Sequence, residues 1–250
     1  IILACNGYGA NTNLITEHIP EMKDALYFGH PGNQGEAILW GKALGAELLH
    51  LSGYQGHGSV AHPHGILVTW ALMMEGAIQI NTKGLRFSNE HNGYSEQAVA
   101  VLGQSEKIAF NIFDERLAIL GRGFEDFNKA EENGALIKAA CSEDLSHKIG
   151  VDPSTFRKTL AECERYAVQA QVDPFGRLFE LGKRLTAPYY AVKVTGALFH
   201  TQGGLRVNRD AQICRSNGIH FHNIFACGGA ACGVSGPDVS GYLSGNGLLT

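Results

Sequence analysis

Apolar positions come in short blocks at both ends of the chain. Ile1 to Ala4 is an unbroken apolar run that meets Gly7 and Gly9, the pattern of a buried strand entering a βα turn. Asn13 to Ile19 predicts a short helix stopped by Pro20, and Glu36 to Leu44 a second with Gly45 near its C-terminus. His30-Pro31-Gly32-Asn33-Gln34-Gly35 between them is a loop. Gly, His and Ser dominate from Leu51 to Gly65. Gly76 to Asn81 then alternates like a strand, Asn81 to Gly84 is a turn, and Leu85-Arg86-Phe87 is expected to return as its partner. Residues 94–103 and 154–170 predict helices. The second starts at Asp152-Pro153-Ser154 and carries Phe156, Leu160, Cys163 and Ala167 on one stripe. From Pro188 the β pattern resumes through Tyr189–Val194, Gly203–Asn208 and Asn223–Gly229, and Gly241 to Leu249 opens a further helix.

Two Gly-rich, βα-patterned ends therefore flank a more helical and more charged middle. That predicts an α/β domain whose two halves meet, interrupted by an inserted α+β domain. The first residues sit mid-strand, so the chain is expected to be the C-terminal part of a longer protein. No complete GxGxxG fingerprint with a distal acid is present, so a self-sufficient dinucleotide fold is not expected.

Composition narrows the function classes. The chain has 250 residues, 32 of them Gly against 7 Pro, and no short repeat, which fits a loop-rich α/β protein and not a fibre. A net charge of -4 without any Lys/Arg run argues against a nucleic-acid partner. No apolar run reaches membrane-spanning length. Six Cys without a CxxC pair argue against a zinc ribbon and for thiols in a reducing, cytoplasmic compartment. His62 and His64 have no Cys or acid beside them, so no metal site is expected. Gly-rich turns at Asn6-Gly7, Gly228-Gly229 and Gly245-Asn246-Gly247 can each bring backbone N–H groups to a ligand.

Several segments, in order, carry a family resemblance. Leu3-Ala4-Cys5-Asn6-Gly7-Tyr8 is similar to LATGGF, and Pro31 to Ala37 to GNTGDG. Gly84 to Glu90 matches G-x-RF-x-NE, and Asp173-Pro174-Phe175-Gly176-Arg177 and Pro188-Tyr189-Tyr190 follow. Phe199-His200-Thr201-Gln202-Gly203-Gly204 is similar to HHTMGG, Ile224 to Gly229 to LYAAGE, and Ser244 to Leu248 closes the set. The chain thus resembles the fumarate reductase-like FAD-dependent oxidoreductases, the group that also holds 3-ketosteroid dehydrogenases. The resemblance implies an FAD-binding, Rossmann-like domain, here partial, interrupted by a capping domain. Residues 1–52 and 183–250 would form the flavin domain and 53–182 the cap. It implies FAD contacts from Ala4, Asn6, Gly7, Gly35, His200, Gly228, Gly229, Asn246, Gly247 and Leu248.

Departures from the family pattern shape the expected chemistry. Tyr94 stands where fumarate reductases deliver a proton from Arg, Trp70 and Met73 match the Glu and Arg of their relay, Phe199 replaces a His, and Tyr242 another Arg. Only His57 keeps a dicarboxylate-site residue. Apolar or phenolic groups cannot clamp two carboxylates. Tyr94, Tyr242 and Ser244 fall where 4-ene-forming ketosteroid dehydrogenases carry catalytic Tyr, Tyr and Ser. The resemblance thus implies hydride transfer between flavin and a C–C bond activated by a carbonyl, on a small, apolar carbonyl substrate; the electron acceptor is left open. Gly229 stands where the family has a Glu that holds an FAD ribose hydroxyl. A fumarate or enoate reductase is the alternative, as is a fragment inactive without its upstream FAD-binding unit.

Overall fold

The computed structural model describes residues 1–239. The chain divides into two compact units, Ile1–His57 with the chain from Ala197 onward, and Gly58–Gly196. The second unit interrupts the first. The family resemblance puts the two boundaries at 52/53 and 182/183; the packing divides the chain at 57/58 and 196/197, each within a continuous strand.

The first unit opens with strand β1 (Ile2–Leu3), helix α1 (Thr12–His18), β2 (Leu26–Tyr27), α2 (Glu36–Ala43) and β3 (Leu48–Leu49). Helix α1 starts where the Asn11 side chain accepts from the N–H groups of Asn13 and Leu14, and it ends before Pro20. Helix α2 starts after Gly35, which holds φ 84°. A Cβ there would stand 2.7 Å from Tyr8 Cβ and 2.8 Å from Leu14 Cδ1, so only Gly fits.

The second unit combines a sheet with six α-helices and holds more helix than the described residues of the first unit, as its more charged, less Gly-rich sequence predicts. In chain order it holds β4 (Tyr54–Ala61), β5 (Ile66–Leu67), α3 (Ala71–Met74), β6 (Ile78–Ile80), α4 (Tyr94–Leu102), β7 (Ile108–Asp114), α5 (Glu115–Gly121), α6 (Glu125–Glu132), β8 (Leu136–Ala139), α7 (Ser142–Ile149), α8 (Pro153–Gln169) and β9 (Tyr189–Thr201). One sheet runs β5-β4-β9-β7-β6, with β8 also on β9. The first residues of β4 and the last of β9 belong to the first unit. Helices α4 and α8 lie within a residue of their expected spans, and α8 is capped by Asp152 with Pro153 at its first position. The expected hairpin is not formed. Asn81 to Gly84 turns, but Leu85–Phe87 is no strand, and β6 pairs instead with β7, Ile80 opposite Phe110.

The reason is Arg86, which turns inward to a buried ion network. Glu90 is fully buried and accepts from Arg86 Nη2 at 2.6 Å, Arg86 Nε at 2.9 Å, Arg177 Nη1 at 2.9 Å and the Gln79 N–H at 2.9 Å. Arg86 also pairs with Asp173, and its guanidinium lies over Phe179, 4.9 Å from the ring centre. Burial alone raises the Glu90 carboxyl. Hydrogen bonding from Arg86 and the charges of both arginines outweigh it and hold the group at about 2.

The chain then returns to the first unit through β10 (Gly204–Leu205), β11 (Gln212–Cys214) and β12 (His220–Ala226). Strand β12 lies between β1, parallel to it, and β11, antiparallel to it, with Leu3 opposite Ala226. The two Gly-rich ends thus share one sheet. Leu3, Ala37, Leu205, Ile213, Ala226, Ala230 and Ala231 form its core. Strand β2 pairs in parallel with Ala197 and Leu198, and β10 with β3. No helix among the described residues is long and apolar enough to cross a membrane.

Replacing Glu90 by Gln leaves two buried guanidinium groups short of a counter-charge, so we expect a loss of about 3–5 kcal/mol in urea unfolding. The wild-type carboxyl is depressed below its ordinary 4.5 in the fold. Its contribution is therefore full above that value and fades as pH falls towards 2. Unfolding measured across that window should show a component of the acid slope that Glu90→Gln lacks.

Candidate functional site

The Gly-rich turns of the first unit bound a cavity of about 570 Å³, a size suited to a small molecule or part of a cofactor. It is lined by Ala4 and Asn6 after β1, Gly29, His30 and Asn33 before α2, Phe199 to Gln202 at the end of β9, and Cys227 to Gly229 with Ala231 after β12. Backbones approach closely here. A Cβ on Gly7 would stand 2.1 Å from Thr201 Oγ1, and that hydroxyl accepts the Tyr8 N–H at 3.2 Å. Thr201 is buried, so the turn after β1 is seated on the end of β9.

The loop before α2 is fixed by one tyrosine. Tyr27 fits only because Gly9 and Gly29 carry no side chains: a Cβ on either would stand 2.2 or 2.3 Å from its ring atoms or hydroxyl. Its oxygen accepts from Asn33 Nδ2 at 2.7 Å, which holds Asn33 in the cavity wall. Burial raises the Tyr27 phenol, so it stays protonated.

Among the described residues, no Lys, Arg, Asp or Glu lines the cavity. Burial lowers the His200 imidazole, against a smaller opposing effect of the Thr201 carbonyl. Phe199 stacks on Phe28 with ring centres 4.8 Å apart and on His57 at 5.4 Å. His57 is 5% exposed, and burial pushes its imidazole down to about 3, so it is neutral near pH 7. A neutral imidazole between protein and aromatic ring is not a cationic clamp for a carboxylate.

The residues present fit FAD. Gln202 is 3% exposed, and neither amide atom has a hydrogen-bond partner among the described residues. Such a group costs stability unless something else satisfies it. Glycines at the turns let backbone reach a ligand. A neutral lining suits the ring and sugar-alcohol portions of the cofactor, not its pyrophosphate.

Of the expected FAD contacts, Ala4, Asn6, His200, Gly228 and Gly229 line the cavity. Gly7 sits behind them on Thr201, and Gly35 serves the packing of Tyr8 and Leu14. Asn246, Gly247, Leu248, Tyr242 and Ser244 lie outside the described residues. Tyr94 begins α4 in the second unit, partly buried against that unit's core, and Trp70 and Met73 are buried in the same core. Asn33, Thr201, Gln202 and Cys227 are cavity residues that sequence reasoning did not single out. Each lies inside a quoted motif, which is the signal that could have found them.

The family profile described as FAD binding domain (FAD_binding_2) matches residues 1–248. The chain belongs to that family. Among curated proteins it is 29% identical over 239 residues to a probable fumarate reductase of Shewanella frigidimarina, covering 94% of this chain and 40% of the relative. The chain thus spans about two fifths of that protein's length. Among solved structures, the open conformation of a flavocytochrome c3 fumarate reductase superposes with a TM-score of 0.79 at 28% identity, over 99% of this chain and 43% of that one. A 3-ketosteroid-Δ4-(5α)-dehydrogenase from Rhodococcus jostii gives 0.66 at 22% identity, over 99% and 49%, which shows a shared fold.

The state of His57 is directly measurable. Its folded value lies below the ordinary one, so the unfolded chain binds more protons between about 3 and 6.5, and stability falls with acid across that window. We expect its imidazole NMR signals to stay those of a neutral ring from pH 8 to pH 5. Phe199→Ala, which removes the stacking cover, should restore titration towards 6.5.

Proposed function

We propose that the protein is an FAD-dependent oxidoreductase that transfers hydride between flavin and a C–C bond activated by a carbonyl, acting on a small apolar carbonyl compound. Family membership supports the cofactor. One observation carries the choice of substrate class: the charged and proton-relay residues expected of a dicarboxylate reductase are replaced. Trp70, Met73 and Phe199 are apolar, Tyr94 and Tyr242 are phenols, and His57 is held neutral by burial. Nothing in that set balances the two negative charges of fumarate.

Bound FAD supplies the hydride acceptor or donor. The protein's own groups must then polarise the carbonyl and move one proton. A phenol does either, donating to the carbonyl oxygen or taking the proton from the neighbouring carbon. We assign the proton-handling role to Tyr94 and Tyr242, with Ser244 as a further donor. Six free thiols fit a reducing compartment, the cytoplasm.

The full-length protein should purify yellow. In anaerobic stopped-flow, cyclic α,β-unsaturated or saturated ketones should bleach or reoxidise its flavin, and fumarate should not. Tyr94→Phe or Tyr242→Phe removes one hydroxyl and should slow flavin reduction by roughly 100- to 10,000-fold with flavin content unchanged. Rapid turnover with fumarate, or parent rates in both variants, would refute the assignment.

A further inference from the structure

Asn6 and Gly229 face each other across the cavity's Gly-rich turns, and their side chains exclude one another. Asn6 holds the left-handed backbone at φ 65°, a conformation Asn tolerates better than other residues with a Cβ. Its Oδ1 accepts the Gly7 N–H at 2.9 Å, which fixes the carboxamide. A Cβ built on Gly229 would stand 2.1 Å from that same Oδ1 and 3.0 Å from the Gly7 nitrogen. The space that a side chain at 229 would enter is filled by Asn6. Both residues line the cavity.

We infer that Asn6 is a cofactor-binding side chain whose Nδ2 donates a hydrogen bond to a sugar hydroxyl of FAD, in the place left by the acid that the family resemblance puts at 229. The inference rests on the reading that FAD occupies this cavity. Asn6 Oδ1 is used by the Gly7 N–H, and Nδ2 has no partner among the described residues. The group is exposed at the cavity wall, ready to donate. Among the described residues the lining holds no Lys or Arg, so a neutral hydroxyl is a better acceptor here than a phosphate. A carboxylate at 229 would accept from the hydroxyl; the carboxamide at 6 donates to it. The polar group has moved from the turn after β12 to the turn after β1, and each change makes room for the other.

The experiment is a double-mutant cycle on the full-length protein, with FAD affinity read from flavin fluorescence on reconstitution of the apoprotein. Asn6→Gly suits the left-handed backbone, so it should fold, and it should weaken FAD about tenfold. Gly229→Glu should also weaken FAD, because its Cβ displaces Oδ1 from the Gly7 N–H. The double variant Asn6→Gly/Gly229→Glu should return to within about threefold of wild type, far from the product of the two single losses. Lumiflavin, which has the ring but no sugar-alcohol chain, should bind wild type and Asn6→Gly equally. Unchanged FAD affinity in Asn6→Gly, losses that multiply in the double variant, or an equal loss for lumiflavin would each overturn the inference. A wild-type protein that takes up no FAD would overturn the underlying reading and the inference with it.

Discussion

The parallel pairing of β1 with β12 is the constraint on which the candidate site depends. The Phe225 N–H donates to the Ile1 carbonyl at 2.9 Å, and the whole second unit lies between them in sequence. Closing so long a loop costs entropy, but slowly with length, because each doubling adds only about 0.6 kcal/mol. The insertion of a whole second unit between the halves is therefore cheap in chain entropy. What it demands is that the closing contacts be specific. Here they depend on glycine: Gly7 lies against Thr201 Oγ1 and Gly229 against Asn6 Oδ1, and the Cys227 N–H donates to the Leu3 carbonyl at 3.1 Å. Side chains larger than a hydrogen would hold these turns apart and close the cavity between them.

The second unit solves a different problem. It buries charged residues in segments that form no strand of its sheet. Two arginines and two acids, all with nearly inaccessible side chains, pair with one another. Glu90 lies four residues before Tyr94, at the start of the turn that leads into α4 through Gly93, whose φ is 126°. The network thus fixes the backbone from which the proposed proton-handling phenol projects. A buried pair of this kind is weak evidence for stability but good evidence for a single conformation, since losing one partner is so costly.

Elements with a local signal were legible in the sequence. Helix α8 has an apolar stripe and an Asp-Pro start and stands where the pattern puts it; β12 overlaps the expected strand over Asn223–Ala226 but begins earlier, at His220. Strands β4 and β7 were not legible. Every residue of β7 is buried, including Asn111 and Asp114, so it shows no alternation of apolar and polar positions. Strand β4 is Tyr-Gln-Gly-His-Gly-Ser-Val-Ala, and its Gly58 fits against Gln97, whose backbone carbon lies 2.8 Å from where a Cβ would be. That need for close approach lowers its apparent strand propensity. The false hairpin at Leu85–Phe87 failed for a related reason: the alternation was real, but the Arg was bound for an ion network that no local pattern encodes. In the site, glycine turns and His200 were legible because motifs carry them. Gln202 was not, since a buried, unpartnered amide is defined by its surroundings.

The chemistry follows from what burial does to polar groups on each side of the question. A dicarboxylate needs cations that stay charged, and the one imidazole retained from that pattern is buried beside Phe199 and rendered neutral. Phenols behave in the opposite way. Burial raises their pKa, as at Tyr27, and so keeps the proton that a carbonyl polariser must donate. The same low-polarity surroundings that disable a histidine clamp therefore favour tyrosine as the proton-handling group. On the proposed reading, replacing Arg and His by Tyr and Phe is one coordinated change: it removes the cations a dicarboxylate needs and leaves an acid–base group that apolar surroundings keep protonated, which is why an uncharged carbonyl compound is proposed as substrate.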